Sequence, residues 1–327
     1  MKMLKKMGVV LTVALLTSFN AQAAEELKFA HVYEVSHPLH KAAEMAAEKI
    51  EKATEGRVKV KVFPASQLGK EVAINEGLSF GTVDVIYTGA SFAGAAYGPI
   101  SMTNFPFTLR GLEHWKNYRD SDLFKEIAAG YDKATNNKSR VVALNYYGAR
   151  HVTSNKPITK PDDMKNLKIR VPNAPAFIIF PKATGANPTP MAFAEVYLAL
   201  QQGVVDAQEN PLTTIKAKRF YEVQSNINLT SHIVDSVVTI VSERAMGKLS
   251  DADQKVVITE LKEAAKWTTE EIIAAEQTLV DWFKGKGITV NDVDRAPFIT
   301  KVTPLLDDPS LPFSAEDLKK LQAIPGN

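Results

Sequence analysis

The sequence predicts an α/β fold in two lobes, and three observations carry that expectation. Short strand-like runs alternate with amphipathic helical ones from Leu27 onward, the grammar of sheets flanked by helices. The same grammar begins afresh near Arg140, with no internal sequence repeat. A third segment, Asp251 to Lys284, contains neither Gly nor Pro. At 1.5 Å per residue it makes a helix roughly 50 Å long, more than one lobe is wide. It is expected to lie across both lobes, with the chain crossing between them more than once.

The elements follow in order. Leu27 to Val32 is a short first strand. A helix over about His37 to Thr54 has Ser36 near its N-cap and Pro38 in its first turn. Its apolar face is Leu39, Ala42, Ala43, Ala46, Ala47 and Ile50, and Gly56 stops it. Val58, Val60 and Val62 alternate with Arg57, Lys59 and Lys61, which predicts a strand with one wet face. Glu71 to Phe80 reads as a helix leading through Gly81 into a strand over Val83 to Tyr87. Gly89 to Pro106, rich in Gly, Ala, Ser and Pro, reads as loop. In the second run, Val141 to Leu144 and Lys168 to Val171 are strands, and Pro175 to Thr184 and Ala192 to Gln202 are helices. Ser250 caps the long helix, Gly285 and Gly287 end it, and its Trp267, Trp282 and Phe283 are expected to pack against the lobes.

The N-terminus has the layout of a secretory signal peptide over residues 1–23. Lys2, Lys5 and Lys6 precede an apolar run from Met7 to Leu16, and Ala21-Gln22-Ala23 is a small-x-small cleavage signal. The run is shorter than the about 20 residues a membrane span needs, and no later stretch is as apolar. The mature chain is therefore expected to be periplasmic and not membrane-embedded. Of 39 basic residues three lie in this segment, leaving 36 against 37 acidic ones. No Lys/Arg stripe with interleaved aromatics points to nucleic acid. There are no cysteines, which excludes disulfides, thiol catalysis and Cys-based metal sites.

No G-x-S-x-G, phosphate-cradling Gly-rich loop, G-x-G-x-x-G or H-E-x-x-H occurs, so no cofactor is expected and no catalytic residue is singled out. His31, His37 and His40 cluster near Glu34, but strand end and helix start would hold them apart, so no metal site is expected. His31 alone remains a candidate ligand contact, because strand ends in open α/β sheets face the ligand crevice.

Three stretches are too specific for generic scaffold: Phe63-Pro-Ala-Ser-Gln-Leu-Gly69, Leu167-Lys-Ile-Arg-Val-Pro-Asn173, and Thr189-Pro-Met-Ala-Phe-Ala-Glu-Val-Tyr197 running on to Val205-Asp-Ala-Gln-Glu-Asn-Pro211. With them the mature chain resembles the solute-binding proteins of tripartite ATP-independent periplasmic (TRAP) transporters, the DctP-type family. Its second half is most similar to the sialic-acid binders. The resemblance implies a type II-like periplasmic binding protein fold, each lobe a mixed sheet flanked by helices with the long helix spanning both. One lobe would comprise 24–147 and 233–268, the other 148–232 and 269–327. It also implies a small organic-acid ligand, small and large membrane subunits as partners, and no enzymatic activity.

Arg170 ends a strand before Pro172, and its guanidinium offers a planar fork matching a carboxylate. Taken alone it reads as a surface ion-pair partner; the resemblance makes it the carboxylate reader. The resemblance extends to Arg150 as a second cation near the acid group, Asn210 as a polar contact, Phe193 as an apolar wall and Asn173 as a supporting residue. Glu71 stands where the sialic-acid binders carry an acidic residue that meets hydroxyls. Gly89 and Val32 replace a glutamate and an asparagine of that pattern, so two readers of a long polyhydroxylated tail are missing. A shorter sugar acid, a uronate or related compound, fits best, with Glu71 and His31 meeting its hydroxyls. The alternatives are sialic acid, C4-dicarboxylates, 2-oxo acids and small sulfonates, a periplasmic enzyme acting on such an acid, or a sensor module. Glu71 argues against dicarboxylates, since a second carboxylate would meet a like charge.

Overall fold

The computed structural model describes residues 24–326; the expected signal segment, residues 1–23, lies outside them. Nine strands form one mixed sheet: β1 (Glu25–Ala30), β2 (Val58–Phe63), β3 (Val85–Gly89), β4 (Ser139–Ser154), β5 (Lys168–Val171), β6 (Asn187–Pro190), β7 (Ala207–Pro211), β8 (Asn226–Ser242) and β9 (Thr289–Asp292). The order is β2-β1-β3-β8-β4-β7-β5-β6, with β9 beside β8. The two sheets anticipated from the sequence are thus the two ends of one. Antiparallel β4 and β8 run the whole length as its spine. The end of β8 pairs with β3 and its start with β9. Each end of the sheet is then completed by parallel pairs, β1 with β2 and β3 at one end, β5 with β6 and β7 at the other.

Local chemistry explains most of the elements. The helix Pro38–Ala53 buries the Leu39, Ala42, Ala43, Ala46, Ala47 and Ile50 face. Its N-cap is His37 and not Ser36, because the His37 ring Nδ1 accepts the Leu39 N–H at 3.2 Å. β2 is an edge strand whose Lys59 and Lys61 point to water, which blunts the edge. Gly89–Pro106 is less irregular than its composition suggests: Ala90–Ala93 is a helical turn and Gly98–Asn104 a 3-10 helix. The helix expected over Ala192–Gln202 is a 3-10 turn, Phe193–Glu195, and then an α-helix, Val196–Gln201.

The long helix spans Asp251–Gly285 and is capped by Ser250, whose Oγ accepts the Asp253 N–H at 3.2 Å. Val257, Leu261, Ala264 and Ile272 pack into the first core, against the helix Pro38–Ala53 and β4, whereas Leu279 and Phe283 pack into the second, with Val196, Leu200 and Phe220. One helix therefore belongs to both ends of the molecule. The C-terminal segment returns to the first core: Phe313 meets Phe105 edge-on at 4.9 Å, Leu321 is buried, and Arg110 donates to the Gln322, Ile324 and Gly326 carbonyls.

Candidate functional site

Halfway along the spine the sheet changes direction. β4 carries register shifts between Tyr146 and Gly148 and between Arg150 and Val152. Gly148 has φ +113°, a left-handed value that a side chain would strain. The irregularity turns Arg150 inward opposite β8, and a cavity forms there, lined from both ends of the sheet.

Arg170 reaches this cavity from the end of β5. It is 2% exposed. Its Nε and Nη2 donate to the Met191 carbonyl at 3.1 and 2.7 Å, which fixes the plane of the guanidinium. Its Nη1 is buried with no hydrogen-bond partner among the described residues. Burial pushes the group down to about 10, the neighbouring Arg150 adding to that and Glu209 and Glu71 opposing it. Even so it remains cationic at neutral pH. A buried cation with one unpaired nitrogen costs several kcal/mol unless something completes it, so the position calls for an anionic acceptor. Phe193 lies under the guanidinium, its ring centroid 5.9 Å from Cζ.

Arg150, expected as a second cation offered to the acid, is instead committed to the protein. Its Nε bonds the Glu209 carboxylate, and Nη2 donates to Glu209 Oε1 and to the Glu209 carbonyl, both at 2.7 Å. Nη2 also meets Asn210 Oδ1 at 3.1 Å, and Nη1 meets Asp235 Oδ2 at 2.6 Å. Burial disfavours its charge, but Glu209 and Asp235 outweigh this and hold it protonated. The reason for the difference is the pairing register: β7 sets Asn210 and Glu209 beside Arg150, while β8 brings Asp235 to its other face. His232 completes the cluster, 3.2 Å from Glu209, and burial lowers its pKa so that it is neutral. Asn210 is likewise engaged, donating to Gln208 at 2.6 Å and accepting from Arg150. Arg150 and Asn210 still line the cavity, Arg150 with one Nη1 hydrogen to spare.

Glu71 faces the cavity from the first turn of the helix Glu71–Phe80. Its Oε1 accepts the Gly89 N–H at 2.6 Å and the Thr88 hydroxyl at 3.2 Å, which leaves Oε2 free toward the cavity. Burial raises its carboxyl to about 7, against those two hydrogen bonds. Phe193 lines the cavity. Asn173 is exposed and borders the mouth beside the cavity, not the cavity itself. His31 does not line the cavity: it is 1% exposed and its Nδ1 accepts the Tyr33 N–H at 3.2 Å. Its Nε2 meets His40 at 3.3 Å, and burial lowers it to about 3. The strand ends one residue too early for His31 to emerge, so it backs Tyr33, which takes the place in the wall.

Sequence reading missed Tyr33, Tyr147, Asp235, Phe92 and Phe177, all of which line the cavity. Tyr33 stacks on His37 and Tyr147 tilts against it to form an aromatic floor, and the Thr214 hydroxyl fixes Tyr147 Oη at 2.7 Å. The innermost cavity is a throat of about 40 Å3, room for about three waters. It continues past Glu71, Phe92, Arg170 and Phe193 into a mouth of about 460 Å3. Arg150 and Arg170 are balanced by Glu209 and Asp235, so the throat is neutral when Glu71 is protonated and carries one negative charge when it is not. Among the described residues no group of three or more His, Asp or Glu is placed to hold a metal. No helix there is long and apolar enough to cross a membrane.

Comparison with known proteins agrees with this geometry. The profile of the DctP family, bacterial extracellular solute-binding protein family 7, matches residues 29–310. The sialic acid-binding periplasmic protein SiaP of Vibrio cholerae is 34% identical over 99% of this chain and 100% of its own. The 2,3-diketo-L-gulonate-binding periplasmic protein YiaO of Escherichia coli is 31% identical over 90% of each chain. A TRAP periplasmic solute-binding protein of Roseobacter denitrificans, solved with bound L-galactonate, superposes with a TM-score of 0.85 at 32% identity, covering 92% of this chain and 99% of that one.

Proposed function

This chain belongs to the DctP family of bacterial extracellular solute-binding proteins, and from that premise we propose that it captures a carboxylate-bearing sugar acid, a uronate, aldonate or related compound, by cleft closure. The family is one of periplasmic substrate-binding proteins and not of enzymes. The mature protein, freed of a signal segment at residues 1–23, delivers its acid to the small and large membrane subunits of a TRAP transporter.

One observation carries the reading: Arg170 lines the cavity, is buried and rigidly held, and its Nη1 has no hydrogen-bond partner among the described residues. A ligand carboxylate accepts from Nη1 and from the spare hydrogen of Arg150 Nη1. Glu71 Oε2 and the Tyr33 hydroxyl meet hydroxyls of the ligand body, and Phe193 covers one face. The throat admits the acid group and its nearest atoms, and the body lies toward the mouth. Val32 and Gly89 line the throat without offering a hydrogen bond from a side chain, which supports a ligand shorter than sialic acid.

The lobes are 24–147 with 233–268 and 148–232 with 269–327, except that the last turns pack on the first. The acid bridges Arg170 on one and Glu71 on the other, so the closed form gains contacts the open one lacks.

A thermal-shift screen of the mature chain against aldonates, uronates, sialic acid, C4-dicarboxylates and sulfonates tests this. At about 100 times its dissociation constant a ligand adds about 2.7 kcal/mol, a rise of several degrees. Sugar acids are expected to give that rise, and Arg170→Ala to abolish it. A rise from neutral sugars that persists in Arg170→Ala would overturn the reading.

A further inference from the structure

Beside the throat lies a chamber that the carboxylate clamp leaves unused. It measures about 260 Å3, and its walls are mostly apolar, with Val72, Phe92, Phe105, Ala174, Ala176 and Pro312 outweighing a polar lining of Asn75, Glu76, Ser91, Ser101 and Asn173. One polar group among them is unsatisfied. The Ser91 hydroxyl is buried without a hydrogen-bond partner, although its backbone N–H is taken by Asn104 Oδ1 at 2.7 Å. The chamber adjoins the acid site and shares walls with it. Phe92 lines throat, mouth and chamber, and Val72 and Asn173 line both mouth and chamber. An acid anchored at Arg170, with its body along Glu71, meets Phe92 next and the chamber behind it.

We propose that this protein selects sugar acids whose end remote from the carboxylate is apolar, an O-alkyl, O-aryl or deoxy terminus, and that this end occupies the chamber behind Phe92. The inference rests on the sugar-acid reading of the Arg170 site. Its physical basis is the mismatch between the two compartments. A hydroxylated end entering the chamber surrenders its hydrogen bonds to water and meets mostly carbon in return. An apolar end surrenders none, and each methyl group it buries strengthens binding about four-fold. Ser91 then donates to the ether oxygen at the junction, which removes the orphaned hydroxyl.

Isothermal titration of the mature chain with matched ligands tests the proposal. D-Glucuronate and D-galacturonate are each compared with their methyl and phenyl β-glycosides, and galactonate with 6-deoxygalactonate. Wherever a parent acid binds, its apolar-ended partner is expected to bind more tightly, about four-fold for methyl and more than about ten-fold for phenyl. Ala95→Phe, at the exposed rim of the chamber, is expected to bring the phenyl ratio close to one. Parents that bind through Arg170 while their glycosides bind no better overturn this inference and leave the sugar-acid reading standing. A phenyl preference that survives Ala95→Phe overturns the placement in the chamber. Failure of every sugar acid, parent and derivative alike, overturns the sugar-acid reading itself.

Discussion

A carboxyl group held near neutrality beside two arginines ties ligand binding to protons. Burial lifts Glu71 to about 7, with Asp235 pushing in the same direction and Gly89, Thr88 and Arg170 pulling back. In the empty protein this raised value means that Glu71 favours folding most below its ordinary pKa, and that the contribution is lost as pH rises through 7. A bound carboxylate adds a further negative charge nearby and raises the group again, so binding takes up a proton. Affinity for the acid is therefore expected to fall about five- to ten-fold between pH 6 and pH 8.5. Glu71→Gln, which retains an acceptor for the Gly89 N–H, should flatten that dependence. Titration calorimetry at both pH values, in buffers of different ionisation heat, reads affinity and proton uptake together. An unchanged slope in Glu71→Gln would assign the effect elsewhere. At this scale the sequence was partly legible. Arg170, Glu71 and Phe193, which the family resemblance singles out, line the cavity. The ion pairs that hold Arg150 are not legible in the sequence, because its partners, Glu209 and Asp235, come from strands 59 and 85 residues further along, and only the sheet register brings them together.

Among the elements, β4 bears the most constraint, since it must serve both ends of the sheet and turn between them. At Gly148 the backbone adopts φ +113°, and a Cβ there would lie 2.9 Å from both Glu276 Oε1 and Pro211 Cβ. The same Glu276 oxygen accepts the Ala149 N–H at 2.8 Å, and its other oxygen accepts the Tyr146 hydroxyl at 3.0 Å. The long helix thus clamps the turn one residue before Arg150. Gly148→Ala must shift Glu276 and hold an alanine in the left-handed region, which together should cost about 2 kcal/mol or more. Urea unfolding measures it, and a variant within about 0.5 kcal/mol of the parent would show that the turn is less constrained than its geometry implies. β4 also shows why strands were harder to read than helices. The helix Pro38–Ala53 and the long helix carry one apolar face each, so periodicity reveals them. In β4 only Val141 to Leu144 has a strand signature, because Asn145, Arg150 and Thr153 are buried and bonded to side chains of other strands, Thr239, Asp235 and Gln208. β8 was overlooked although Ile233 to Val241 is rich in β-branched residues, a signal that was there to be used.

For the molecule as a whole, closure depends on how the two ends of the sheet meet across the mouth, and two ion pairs span it. Lys70 and Glu195 lie 2.6 Å apart, with side chains 65% and 52% exposed. Lys218 and Glu34 lie 2.7 Å apart, at 12% and 30%. Lys218 also sits over the Phe193 ring at 5.1 Å. Although the distances match, the environments do not. An exposed pair gains little beyond the cost of ordering two long side chains, typically about 0–1 kcal/mol, and salt screens it. A pair drawn into the low-dielectric margin of the cleft interacts more strongly and is screened less. The Lys218–Glu34 contact should accordingly hold the liganded form shut, while the Lys70–Glu195 contact follows closure without driving it. Lys218→Gln is expected to raise the dissociation constant for the bound acid about ten-fold, mostly through faster release, and to do so equally at 0.1 and 0.5 M salt. Lys70→Gln should change it less than about two-fold, and that remnant should vanish at the higher salt. Stopped-flow release rates for the two variants at both ionic strengths separate the contributions. Equal effects, or a Lys218 effect that disappears with salt, would mean that closure is driven by the ligand's own bridge between Arg170 and Glu71 and owes nothing to the rim.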